Sequence, residues 1–123
     1  MKAEELMIGD WVAFRGRPLR YTAQDIATMA ECEAKGIATD TTPIPITPEI
    51  LQKSGFGYIE REEKLTHFYL GKGQICSNMD IHIGTDNYRF WVNNYMSNIF
   101  GLYFVHELQH AFRILGIEKE VVL

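Results

Sequence analysis

The chain has 123 residues, of which 46% are hydrophobic and 23% charged, so it has the size and composition of one globular domain and not those of a disordered or fibrous protein. Twelve basic against sixteen acidic residues give a formal net charge of −4. This balance excludes the generally basic surface on which most nucleic-acid binders rely, although a local basic patch remains open.

Signals for export and membrane insertion are missing from the sequence. The start, Met1-Lys2-Ala3-Glu4-Glu5, has acids where a signal peptide needs positive charge, and no apolar segment follows it. The longest uncharged run, from Phe90 to Val105, is shorter than the roughly 20 apolar residues that a membrane helix needs. Cys32 and Cys76 stand apart without a C-x-x-C pairing. We therefore expect a cytoplasmic protein whose cysteines are free thiols.

A β-hairpin is predicted at the start of the chain. Residues Leu6 to Phe14 alternate between apolar and small or polar residues, which is typical of a strand with one buried face. The turn signal Arg15-Gly16-Arg17-Pro18 follows, so a second strand is expected near Leu19 to Tyr21.

Two helices with clear starting signals come next. Thr22 and Asp25 resemble a capping box, and apolar residues at helical spacing predict a helix from about Ala23 to Lys35. The proline-containing segment 37–46 is expected to be a connector. Thr47-Pro48-Glu49 then combines a capping residue, a first-turn proline and an acid, which predicts a short helix ending at Ser54-Gly55.

The C-terminal half changes to strand periodicity and ends in a helix. Three strands are predicted at Lys64 to Leu70, Gln74 to Ile83 and Tyr88 to Val92, with glycine-containing turns between them. A helix from about Leu102 to Leu115, capped by Gly116, carries an apolar stripe expected to cover the sheet. The tail from Ile117 onward is expected to add an edge strand or to dock on the core.

These elements predict an α+β fold in a single domain spanning 1–123. Its portion 1–46 would hold the hairpin and first helix. Its portion 47–123 would hold the short helix, an antiparallel meander and the amphipathic C-terminal helix packed on it. The aromatic-rich stretch from Phe90 to Phe104 is expected to feed either the core or a self-association surface.

One motif carries possible chemistry: His106-Glu107-Leu108-Gln109-His110 matches H-E-x-x-H on a predicted helix. This spacing puts two imidazoles on one face, where both can bind Zn²⁺ while Glu107 acts as general base on metal-bound water. The alternative is a purely structural role. His106 and His110 would then lie on the partly exposed flank of an amphipathic helix, and Glu107 would be a solvated first-turn acid.

The third zinc ligand is where the protease interpretation weakens. The longer metzincin pattern requires glycine and histidine where this chain has Arg113 and Gly116. The remaining candidates for a third ligand are residues on the predicted strands or in the short tail, namely His67, His82, Glu118 and Glu120. We therefore predict no cofactor and no catalytic residue, with zinc on His106 and His110 and catalysis by Glu107 as the alternative.

A second candidate site is the hairpin itself. Arg15, Arg17 and Arg20 lie among aromatic residues, a mixture that single-stranded nucleic acid can exploit. Arginines at a turn are more often a solvated hairpin tip, so nucleic-acid contact by these three residues is the minor interpretation.

Three segments together resemble a known group of proteins: LMIGDWV from Leu6 to Val12, PIPITPEIL from Pro43 to Leu51 with Gly55-Phe56, and YFVHELQHA from Tyr103 to Ala111 with Leu115-Gly116-Ile117. The group consists of small uncharacterised bacterial and prophage-like proteins, and the resemblance implies no particular activity. In that group the residue matching His110 is often another polar residue, and the one matching Glu107 can be glutamine. The resemblance thus argues against a zinc protease.

Three hypotheses follow. The first is a non-enzymatic binding or assembly domain, phage-related by its resemblance, that self-associates or binds a protein partner. The second is a minimal zinc hydrolase using His106, His110 and Glu107. The third is a weak nucleic-acid-binding module working through the hairpin.

Overall fold

The computed structural model describes residues 1–61, 65–70, 79–84, 90–93 and 100–123, with backbone alone for 58–61, 65–70, 79–84, 90–93, 100–102 and Leu115. Over these residues the fold is α+β, as predicted. They divide into two compact units. We call Met1–Pro45 with Phe104–His110 the N-terminal unit, and Ile46–Tyr103 with Ala111–Leu123 the second unit. The single-domain organisation and its division at residue 46 stay predictions.

The predicted hairpin is confirmed. Strands β1 (Trp11–Phe14) and β2 (Arg17–Arg20) pair antiparallel, and β3 (Thr41–Thr42) pairs with the other side of β1. The two-residue turn has positive φ at both Arg15 and Gly16, which is the turn geometry that matches strand twist. β2 begins two residues earlier than expected because Pro18 is tolerated on an edge strand, where a missing N–H costs no ladder bond.

The segment before β1 differs from the predicted strand. Ala3–Glu5 form a 3-10 helix, and β1 starts only at Trp11. The reason is a local turn at Asp10, whose carboxylate accepts the N–H of Met7 at 2.7 Å while its own N–H donates to the Met7 carbonyl. An aspartate that bonds nearby backbone competes with strand pairing in this way.

The core of the N-terminal unit lies between the hairpin and the first helix. Helix α1 (Ala23–Ala34) begins with the predicted capping box, in which Thr22 and Asp25 each accept from the other's backbone N–H. The buried side chains come from the 3-10 helix, β1, the end of the hairpin and α1, namely Ala3, Leu6, Val12, Tyr21 and Met29. Cys32 on α1 is a free thiol, and Cys76 lies outside the described residues.

In the second unit a hydrogen bond connects the end of a short helix to the C-terminal tail. Helix α2 (Pro48–Lys53) starts at the Thr47 cap, as predicted. Ser54 Oγ at its end accepts the N–H of Val122 at 2.9 Å, and Val121 beside it is buried. The tail therefore docks through these contacts and forms no strand. Phe56 and Phe112 stack with centroids 6.1 Å apart.

The described strands of the second unit form an antiparallel meander in chain order: β4 (Gly57–Arg61), β5 (Leu65–Leu70), β6 (Met79–Gly84), β7 (Phe90–Asn93) and β8 (Phe100–Leu102). β5 to β7 match predicted strands, whereas β4 and β8 were not predicted. Residues 74–78 of the predicted middle strand, and the predicted turns at 71–73 and 85–87, lie outside the described residues. Packing of the sheet by the last helix stays a prediction.

That last helix, α3, runs from Val105 to Leu115 and is followed by Gly116 at φ 70°. Its predicted apolar stripe is buried at Val105, Leu108, Ala111 and Phe112. Among the described helices, none combines the length and apolar character required to cross a bilayer.

Candidate functional site

The start of α3, which carries the H-E-x-x-H motif, is fixed by backbone contacts within the N-terminal unit. The N–H of Val105 donates to the Ile44 carbonyl at 2.8 Å, and Pro45 forms a β-bridge with Phe104. Glu107 Oε1 accepts the Phe104 N–H at 3.0 Å, so this glutamate occupies one of the donors that a helix start leaves unpaired. The backbone at the start of the motif is therefore held by Pro43-Ile44-Pro45, which we call the PIP segment.

Gln109 is a second anchor in the motif. Its side chain is only 7% exposed. Oε1 accepts the Trp11 N–H at 2.8 Å, and Nε2 donates to the Gly9 carbonyl at 3.0 Å. One amide therefore satisfies a backbone donor and a backbone acceptor on either side of Asp10, as a neighbouring strand would.

His110 completes the contact through Asp10. The carboxyl group of Asp10 has 0% exposure, and its Oδ2 lies 2.6 Å from His110 Nε2. Because a carboxylate only accepts, Nε2–H is the donor, which leaves Nδ1 as the remaining polar atom of the ring. A buried carboxylate is tolerated when it is paired and hydrogen-bonded in this way. His110 is itself 23% exposed.

His106 differs from the other polar residues of the motif. It is 6% exposed, and its buried Nδ1 has no hydrogen-bond partner among the described residues. The ring stacks on Phe104 with centroids 5.9 Å apart and meets His110 edge-on at 5.7 Å. Burial lowers the pKa of His106, an effect partly opposed by the negative charges of Glu107, Asp10 and Glu5. The imidazole is therefore neutral at neutral pH.

These side chains surround an open cavity of about 430 Å³, which we call the α3 cavity. Its lining residues come from the N-terminal 3-10 segment, the PIP segment and α3, namely Met1, Glu5, Pro43, Phe104, His106, Glu107 and His110. The volume lies within the range of small-molecule sites.

The partly exposed flank expected for His106 and His110 is wrong for His106, which is buried, whereas His110 is partly exposed. Glu107 is half-buried and not fully solvated, because it serves the start of the helix. Periodicity correctly placed His106 and His110 on one face of α3. It gave no sign that the segment at Asp10 would cover that face.

The zinc alternative meets one of its requirements here. Metal-binding histidines commonly donate their second nitrogen to a carboxylate, and Asp10 holds His110 in that manner. Among the described side chains, no group of three His, Cys, Asp or Glu is placed to hold a metal ion. Glu118 and Glu120 are exposed. His67 and His82 are direct partners across β5 and β6, and their side chains lie outside the description.

The three arginines proposed to contact nucleic acid lie on the hairpin, two of them engaged by neighbouring residues of the chain. Arg15 pairs with Asp40 at 3.3 Å and covers the Phe14 ring at 5.2 Å. Arg20 donates to the Gly9 carbonyl at 3.3 Å and covers the Trp11 ring at 5.6 Å. One face of each ring is thus occupied by the protein's own guanidinium group, which reduces the surface for stacking bases. Arg17 is exposed.

No protein-family model matches this chain, and neither a curated protein nor a solved structure is significantly similar to it. The fold and site therefore define a small α+β protein with a histidine-lined cavity. The resemblance to prophage-like proteins stays a prediction.

Replacing Gln109 with alanine should destabilise the protein by about 2–4 kcal/mol, because two backbone groups lose their partner in a largely buried position. Urea unfolding monitored by circular dichroism measures this. Gln24→Ala is the matched control, since Gln24 is an exposed helical glutamine that bonds only to Thr28 among the described residues. Equal and small effects of both substitutions would contradict the anchoring role of Gln109.

Stability should fall as the pH is lowered below about 6.5, because His106 takes up a proton in the unfolded chain before it does in the folded one. His106→Phe keeps an aromatic ring beside Phe104 and removes this titration. The slope of unfolding free energy against pH should therefore be shallower in the variant, by at most about 1.4 kcal/mol per pH unit for one proton. Identical slopes between pH 5 and 7 would show that His106 does not contribute.

Proposed function

We propose that the chain is a non-enzymatic binding domain in which α3 anchors the N-terminal segment and presents the α3 cavity to a ligand. The observation that carries this proposal is the use of the motif's polar groups. Gln109 holds the backbone on both sides of Asp10, His110 pairs with Asp10, and Glu107 receives the first backbone N–H of the helix. Residues that resemble catalytic machinery are engaged in holding the structure.

The zinc hydrolase is the less favoured alternative. A catalytic zinc needs three protein ligands and a base free to take a proton from bound water. Here His110 has one nitrogen on Asp10, so only Nδ1 remains to it, and Glu107 is tied to the Phe104 N–H. The contact between His110 and Asp10 is compatible with zinc on Nδ1. What disfavours the hydrolase is the engagement of Glu107, together with the described side chains, among which no group of three could hold the metal.

The case for binding rests on His106. A buried nitrogen without a partner costs about 1–3 kcal/mol, and such a group calls for an explanation, of which a functional role and an ordered water are two. This nitrogen belongs to a residue that lines the α3 cavity. Nδ1 itself is enclosed, so a ligand with a complementary group would remove the cost only if the ring turned this nitrogen toward the cavity. Self-association or a phage-related assembly, both predicted from the sequence, would be ways of supplying that ligand.

Protein prepared without a histidine tag should carry well under one zinc per chain by elemental analysis. Its melting temperature should not change on addition of a chelator, because a metal that stabilised the fold would lower that temperature when removed. His110→Ala should destabilise the fold through Asp10 without altering the metal content. Stoichiometric zinc that is lost in both His106→Ala and His110→Ala would overturn the proposal in favour of a metal protein.

A panel of small organic fragments of mixed charge should contain members that bind the α3 cavity with millimolar affinity. Nuclear magnetic resonance detects this through the ring protons of His106 and the backbone amide of Glu107. The internal control is a second cavity of about 370 Å³ beside α1, reported by Thr28 and Met29. If no fragment moves the His106 signals, the binding-domain proposal is wrong.

A further inference from the structure

We infer that the N-terminal unit self-associates head to tail, with the Met7-Ile8 turn of one copy inserted into the cavity beside α1 of the next copy. We call this turn the knuckle, and the cavity, of about 370 Å³, the α1 cavity. Neither site includes a residue that lines the α3 cavity, so this self-association is separate from the proposed ligand binding.

The large apolar side chains that the N-terminal unit leaves exposed fall in two places. Met7 and Ile8, at the knuckle, are 45% and 66% exposed. Leu19 and Ile37 are 45% and 54% exposed. Leu19 lines the α1 cavity, and the N–H of Ile37 donates to the carbonyl of Cys32, another lining residue. Both places are exposed within one chain, so covering one with the other requires two copies.

The backbone of the knuckle is fixed before any partner arrives. The Asp10 carboxylate accepts the Met7 N–H at 2.7 Å, and the Asp10 N–H donates to the Met7 carbonyl at 3.1 Å. Gly9 is held on both sides, because its N–H donates to the Tyr21 carbonyl at 2.8 Å and its carbonyl accepts Gln109 Nε2–H at 3.0 Å. A turn held in this way loses little conformational freedom on binding, which favours association through its exposed side chains.

The α1 cavity suits an apolar side chain because its charged and buried polar groups already have partners. Tyr21 Oη and Thr41 Oγ1 share a hydrogen bond at 2.6 Å. Asp25 belongs to the capping box of α1, and Arg15 pairs with Asp40 at 3.3 Å. The apolar part of the wall comes from both strands of the hairpin, the residue that follows them and α1, namely Phe14, Leu19, Tyr21, Met29 and Cys32.

The two sites lie toward opposite ends of β1, which makes the contact head to tail. The knuckle precedes Trp11, where β1 begins, whereas Phe14 and Arg15 at the hairpin turn line the α1 cavity. Contact between different surfaces of identical chains is heterologous, so every bound copy keeps a knuckle or an α1 cavity for a further copy.

Charge complementarity favours the same pairing. Arg20 lies beside the knuckle, since its Nε–H donates to the Gly9 carbonyl at 3.3 Å. The described lining of the α1 cavity has two carboxylates, Asp25 and Asp40, and one guanidinium, Arg15, so it is negative overall. The knuckle therefore brings a positive group to a negative surface, whereas pairing of two knuckles would bring two arginines together.

Analytical ultracentrifugation of the full chain over a concentration series tests the association. The contact is small, so its dissociation constant should be roughly 10–1,000 μM. Ile8→Glu on the knuckle and Leu19→Glu in the α1 cavity should each weaken association about tenfold or more, because each places a charge in an apolar contact. Thr28→Lys, at an exposed helical position of the cavity wall, keeps the test valid if Leu19→Glu folds poorly. Ile114→Glu is the matched control, since this isoleucine is 83% exposed and belongs to neither site.

Mixing the two variants is the decisive measurement. The Ile8→Glu chain keeps its α1 cavity and the Leu19→Glu chain keeps its knuckle. At concentrations where each variant alone is monomeric, an equimolar mixture should therefore form heterodimers and nothing larger. An unsubstituted chain that stays monomeric at every concentration, an association that both variants leave unchanged, or a mixture that fails to associate would each overturn the head-to-tail contact. Fragment binding at the α3 cavity should be the same in both variants, so failure of this contact leaves the proposed function standing.

Discussion

The N-terminal unit is arranged around one buried carboxylate. Asp10 has no exposed surface, and a charge in that position is stable only when every side of it is met by a donor or a cation. Met7 supplies a backbone N–H from the preceding turn, and His110 supplies a ring N–H from α3. The backbone carbonyl of Asp10 accepts the N–H of Tyr21, which closes the open end of the hairpin. Turn, hairpin and helix thus depend on the same residue.

This arrangement changes the meaning of the H-E-x-x-H spacing. Residues four apart on a helix share a face, which is why the pattern suits two metal ligands. The same geometry equally suits one histidine that holds a carboxylate and another that lies against the first. What separates the two uses is which ring nitrogen is engaged and by what. Here the engaged atom is His110 Nε2, and the residue between the histidines serves the backbone at Phe104.

Local signals accounted for most of the elements. The capping box at Thr22, the Thr47-Pro48 start of α2 and the Arg15-Gly16 turn each act over three or four residues, so the sequence predicted them well. The contacts of the site join residues 98 to 100 positions apart. Periodicity carries no information on which distant segments contact each other, so the anchoring role of Gln109 was missed. The available clue was the uncharged amide of Gln109 between Leu108 and His110 within the motif. Strand β8 was missed because three residues are too few to establish an alternation.

The composition of the N-terminal unit also bears on its synthesis. It is built from residues 1–45 and 104–110, with the whole meander encoded between them. A chain made from its N-terminus therefore produces Asp10, Gly9 and Trp11 long before their partners on α3 exist. Until residue 110 has been added, the Asp10 carboxylate lacks its imidazole partner. Completion of this unit therefore comes late in its synthesis and requires the closure of a long loop.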